Sequence, residues 1–130
     1  SNMIPIVSQW GGKQPRLTLG ADGTLTAENF DPYAPVNDFL APWKAAIRDG
    51  ARVFVGEMGA YKHTPHDVTL RWLEYCLKQY REMGIGWAFW NLRGSFGPIN
   101  RGRKDVAYEK DGELQVDREM LDLQVKYRAR

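Results

Sequence analysis

Two side chains of this sequence stand where chemistry is possible: Glu57, at the end of the apolar run Val53-Phe54-Val55, and Trp90, toward the end of the run from Ile85 to Leu92. A glutamate can attack an electrophilic carbon or move a proton. At a strand end it serves equally well as an acceptor for loop amides. Trp90 can line a ligand or fill a core. His63 and His66 form a His-x-x-His, a metal-binding spacing, yet no third ligand of suitable spacing accompanies it; a loop and capping role is expected and no metal is implied. Cys76 falls on an apolar helical stripe, where a buried, unreactive thiol is expected. Arg101, Arg103 and Lys104 read as solvated side chains.

The elements that must position Glu57 and Trp90 are a strand, a helix and a strand joined by short connections, the pattern of a right-handed βαβ unit. The first run lacks polar alternation and reads as a strand buried on both faces, with Val53, Val55 and Glu57 on one side. Thr64-Pro65-x-Asp67 predicts a helix start, with the hydroxyl as N-cap, proline at the first helical position and an acid in the positive first turn. The helix then uses Val68, Trp72, Leu73, Cys76, Leu77, Tyr80 and Met83, and Gly84 stops it. In the second strand Trp87 and Phe89 pack under helices while Gly86, Ala88 and Trp90 face a crowded interior. Glu57 and Trp90 then emerge together at the C-terminal ends of neighbouring parallel strands, where α/β folds place their sites.

Around this unit, Asp22-Gly23 between Leu17, Leu19 and Leu25 predicts a hairpin. Phe39, Leu40, Trp43 and Ile47 predict a helix ending at Asp49-Gly50, with Pro42 starting or kinking it. Val106 to Val116, around Lys110-Asp111-Gly112, reads as a second hairpin. A last helix is expected from Asp117, burying Met120, Leu121 and Val125. The 130 residues, 43% hydrophobic and 26% charged, fit one globular domain over residues 3–130, with Ser1-Asn2 reading as a cleavage scar before Met3. Eighteen Lys and Arg against 16 Asp and Glu give +2, too balanced for a nucleic-acid or anionic-membrane surface. One cysteine excludes an intrachain disulfide framework. No apolar run approaches the roughly 20 residues of a membrane span, and no secretory signal is read; the compartment is not indicated.

Val53-Phe54-Val55-Gly56-Glu57-Met58-Gly59, the Tyr61 to Asp67 loop, Trp87-Ala88-Phe89-Trp90-Asn91-Leu92-Arg93-Gly94, the run Gly102 to Glu109 and Asp117-Arg118-Glu119-Met120-Leu121, in that order, resemble the last part of glycoside hydrolase family 5, the cellulase-like enzymes. The resemblance extends from Ala51 to Leu123. It implies an α/β architecture, a partial (β/α)8 barrel of the TIM type, to which this chain contributes C-terminal βαβ units plus hairpins. It makes Glu57 the nucleophile of a retaining β-glycosidase acting on β-glucan or mannan, and lays Trp90 along the sugar at the cleavage subsite. Asn91, Arg93 and Phe96, just beyond the second strand, are candidates to line a glycan cleft or to serve the loop's own structure. No metal or organic cofactor is implied.

A retaining enzyme needs two carboxyl groups about 5 Å apart. The family draws its acid/base from an Asn-Glu pair, and no Asn-Glu dipeptide occurs in this sequence; the resemblance gives that role to neither Asp105 nor Glu109. Met3 to Asn29 also lacks the family's His-x-Tyr pattern, and the first half of a barrel of about 250 residues is missing. The chain is therefore expected to be inactive alone. It must cover its open strand edges by homo-oligomerisation or with a missing N-terminal half-barrel. The other reading is a noncatalytic carbohydrate-binding or self-assembling half-barrel module.

Overall fold

In the computed structural model, which describes residues 16–19, 21, 25–28 and 34–128, the described residues form three short sheets and three helices in a mixed α/β arrangement. Strand β1 (Arg16–Leu19) pairs antiparallel with β2 (Leu25–Glu28), Leu19 opposite Leu25. This is the expected hairpin. Its Asp22-Gly23 turn and the apolar run Ile4 to Val7 lie outside the described residues. Helix α1 (Ala34–Arg48) buries Val36 and Leu40 and packs Trp43 and Ile47 against the core, as spacings of three and four require. Pro42 stands inside α1, neither at its start nor at its end.

The expected βαβ unit is present. Strand β3 (Phe54–Met58), helix α2 (His66–Met83) and strand β4 (Gly86–Phe89) follow one another, and β3 pairs parallel with β4, Phe54 opposite Gly86 and Val55 opposite Trp87. Gly84 ends α2 in the left-handed conformation at φ 68°, which a side chain would disfavour. Strand β3 differs from expectation in being buried on one face only. Val55 and Met58 are buried, whereas Phe54 is 65% exposed and Glu57 is exposed. Two causes combine: among the described residues the sheet has two strands, with helices on one side, and a register irregularity between Val55 and Met58 interrupts the alternation that would place Glu57 with Val55.

The start of α2 also departs from prediction. Pro65 occupies the N-cap position, and the expected cap by the Thr64 hydroxyl is not made. The His66 backbone N–H instead donates to Asp105 Oδ2 at 2.8 Å, from 39 residues away. A carboxylate at this end also meets the positive end of the helix dipole. Strands β5 (Glu109–Asp111) and β6 (Leu114–Val116) form the second hairpin. Helix α3 (Arg118–Tyr127) starts as expected at Asp117, whose carboxylate accepts from the Met120 N–H. It buries Met120 and Tyr127, while Val125 is 46% exposed. Five residues from Met120 is about 140° around a helix, so Val125 cannot share its stripe.

The core joins Leu40, Val55, Met58, Leu73, Leu77, Ile85 and Met120. Cys76 lies within it, and burial pushes its thiol pKa up to about 12, the inert thiol expected. Trp72 and Trp87 pack against the same core. Among the described residues, no helix is long and apolar enough to cross a membrane.

Candidate functional site

Parallel pairing carries β3 and β4 out of the sheet at the same end, so the residues that finish them become neighbours. The Trp90 N–H donates to the Met58 carbonyl at 2.8 Å, extending the ladder one step past β4. Glu57 and Trp90 both line a cavity of about 520 Å³, whose wall also includes Phe39, Trp43 and Phe96. Trp90 is 54% exposed. Gly59 is required here: a Cβ at this position would lie 2.5 Å from the Trp90 carbonyl oxygen and 3.2 Å from Phe96 Cβ. Its absence lets the segment after Glu57 and the segment after Trp90 close against each other. Glu57 is the sole carboxylate among the described residues of the cavity wall.

Of the other candidates, Phe96 reaches this cavity, while Asn91 and Arg93 stand outside its wall. The Asn91 side-chain oxygen is buried and has no hydrogen-bond partner among the described residues. Arg93 is exposed and its backbone bridges to Ile99, which bridges in turn to Val116 of β6. The loop that carries Trp90 and Phe96 is thereby anchored to the second hairpin.

Arg101 and Arg103, expected to be solvated, are buried, and sequence reasoning missed their role. Arg101 is 1% exposed. Its Nε donates to the Ser95 carbonyl at 3.2 Å, Nη1 to Met120 Sδ at 3.1 Å and Nη2 to the Ala60 carbonyl. One guanidinium thus joins the segment after Glu57, the segment after Trp90 and α3. Burial pulls its pKa down to about 10, with the nearby Arg103 charge adding to the effect and Asp117 opposing it. Arg103 makes a two-pronged pair with Asp105, at 2.7 and 2.6 Å, and donates to the Thr64 carbonyl. These hydrogen bonds hold the Asp105 carboxyl well below the usual carboxylate range.

His66 completes the cluster, with Nε2 2.8 Å from Oδ2 of the fully buried Asp117. The imidazole therefore ties the first turn of α2 to the start of α3. Glu109 pairs with Arg118, so Asp105 and Glu109 are both held in ion pairs. The available sequence signal was Arg-x-Asp at 103–105, a spacing that suits a fork-on-carboxylate contact.

No family model matches the chain, and no curated protein sequence matches it. Among solved structures, one described as a glycoside hydrolase is 33% identical with a TM-score of 0.69, over 86% of this chain and 32% of that one. Another, a hyperthermophilic endo-beta-1,4-glucanase in complex with substrate, is 26% identical with a TM-score of 0.45, over 51% of this chain and 21% of that one. This chain spans about a third of the length of the first neighbour. Over that third, it has a glycoside hydrolase-like α/β fold.

Proposed function

We propose that residues 3–130 form a single domain, the C-terminal part of a (β/α)8 glycoside hydrolase resembling family 5, with β3, α2 and β4 as the last βαβ unit. The observation that carries this reading is the meeting of Glu57 and Trp90 on one cavity at the strand ends, in a chain 33% identical to a glycoside hydrolase. In the completed barrel Glu57 attacks the anomeric carbon of a β-linked glucan or mannan, and a second carboxyl group, from outside this chain, protonates the leaving oxygen. The Trp90 ring offers an apolar face to the C–H side of the pyranose. Asn91 and Arg93 serve the cleft from its margin and Phe96 from its wall.

That Glu57 is the one described carboxylate on the cavity favours binding without turnover by the chain alone, and a noncatalytic carbohydrate module is the second reading. Incubation with an aryl β-cellobioside is expected to release no phenol from wild type or Glu57→Ala. Calorimetric titration with cellobiose is expected to show saturable binding that Trp90→Ala weakens about tenfold, the size of one lost aromatic anchor. Turnover that disappears in Glu57→Ala would overturn inactivity alone, and absence of binding would overturn the sugar site.

The uncovered face of β3, with Phe54 65% exposed, supports a partner that covers it, either a second copy or an N-terminal half-barrel. Sedimentation of the chain at micromolar concentration is expected to give a dimer or larger species. A sharp monomer would reject self-association.

A further inference from the structure

Tyr61 is 38% exposed on a loop that is held at both ends. The carbonyl of Ala60, just before it, accepts from buried Arg101, and the carbonyl of Thr64, just after the loop, accepts from buried Arg103. Between these two clamps the Thr64 N–H donates back to the Tyr61 carbonyl at 2.9 Å. The ring itself is braced on two sides, by His63 with centroids 5.0 Å apart and by Phe96 at 5.5 Å. Phe96 is the junction, since it also lines the cavity that holds Glu57 and Trp90. An exposed aromatic ring whose loop is already fixed binds a ligand at little further entropic cost.

We propose that Tyr61 and Phe96 form a second stacking platform, continuous with Trp90, that takes the units of a β-linked oligosaccharide beyond the one held at Glu57. The inference rests on the reading of Glu57 and Trp90 as a sugar site. A chain of pyranoses presents apolar C–H faces at each ring and hydroxyls at its edges. The Tyr61 and Phe96 rings meet the faces, and the Tyr61 hydroxyl and the exposed His63 offer donors and acceptors to the edges. The two buried arginines act on this site through the backbone: they set where the Tyr61 ring stands and do not touch the sugar.

The test is calorimetric titration of the chain with cellobiose and with cellopentaose, for wild type, Tyr61→Ala, Tyr61→Trp and Trp90→Ala, after circular dichroism confirms that each is folded. Wild type is expected to bind the pentaose about tenfold tighter than the biose, and Tyr61→Ala to lose that gain while binding the biose unchanged. Tyr61→Trp restores the gain. Pentaose binding that Tyr61→Ala leaves unchanged, an equal loss for both sugars, or wild-type affinity that does not rise with length would each overturn the platform. If Trp90→Ala alters neither sugar, the sugar-site reading fails on its own account, and if wild type binds neither, both fall.

Discussion

Asp105→Ala is expected to destabilise the chain by about 3 kcal/mol, because it leaves the Arg103 guanidinium buried without its counter-charge. The asymmetry between the partners locates the cost. The Arg103 side chain is 1% exposed and Asp105 is 47% exposed, so the aspartate can be hydrated when alone and the arginine cannot. The same change takes away the acceptor of the His66 N–H, adding an unsatisfied amide at the start of α2. Urea unfolding at pH 7 should show a lower midpoint with an unchanged slope. The double variant Arg103→Met with Asp105→Ala should recover part of the loss, since an apolar side chain of similar length needs no partner. A single-variant change within about 0.5 kcal/mol, the range of neutral surface substitutions, would mean that water reaches Arg103.

The same pair carries an acid dependence. The folded-state pKa of Asp105 lies below its unfolded value, chiefly through the Arg103 hydrogen bonds. Its contribution is complete above the unfolded value of about 3.9, and is lost as pH falls through the folded one. Wild-type stability should therefore fall more steeply than that of Asp105→Ala below about pH 4, and a parallel fall would assign the acid sensitivity elsewhere. Solvent around the half-exposed carboxylate keeps this effect smaller than the loss at pH 7.

Asp117→Ala is expected to cost about 2–3 kcal/mol, from two losses at one fully buried carboxylate. Oδ1 accepts from the Met120 N–H and so caps α3, and Oδ2 is the partner of His66. Asp117→Asn keeps an oxygen for the cap and a polar group toward the imidazole, and should recover more than half of the loss. Thermal unfolding of the three proteins at pH 7 separates the contributions. Equal destabilisation by Asn and Ala would show that the negative charge, which also offsets the burial of Arg101, matters more than the hydrogen bonds.

The βαβ unit and the neighbouring positions of Glu57 and Trp90 were legible in the sequence because they rest on local signals: an apolar run, a helical period, a glycine stop and a second run. What the sequence concealed came from distant pairing. The Thr64-Pro65-x-Asp67 start looked self-sufficient, yet its capping acceptor belongs to Asp105. Arg101 and Arg103 carry the residue type of a surface loop, and nothing in their immediate neighbours names the carbonyls of Ala60, Thr64 and Ser95 that desolvate them. The misplacement of Glu57 relative to Val55 has another origin, because a period of two cannot foresee the irregularity before Met58. For the site, Phe96 stands on the wall of the cavity that Glu57 and Trp90 share, and Asn91 and Arg93 lie beyond that wall.

The bond from the His66 amide to Asp105 ties the first turn of α2 to a segment 39 residues later, and this makes one amide a clock for motion elsewhere. Exchange of the His66 proton with deuterated solvent requires Asp105 to leave. Its rate therefore follows how often the Arg103–Asp105 turn lets go of the helix start, even while the later turns of α2 stay closed. The Thr69 amide, bonded to the Pro65 carbonyl at 2.9 Å, reports the helix itself. The ratio of the two rates measures how often the 103–105 turn releases α2 before the helix itself opens.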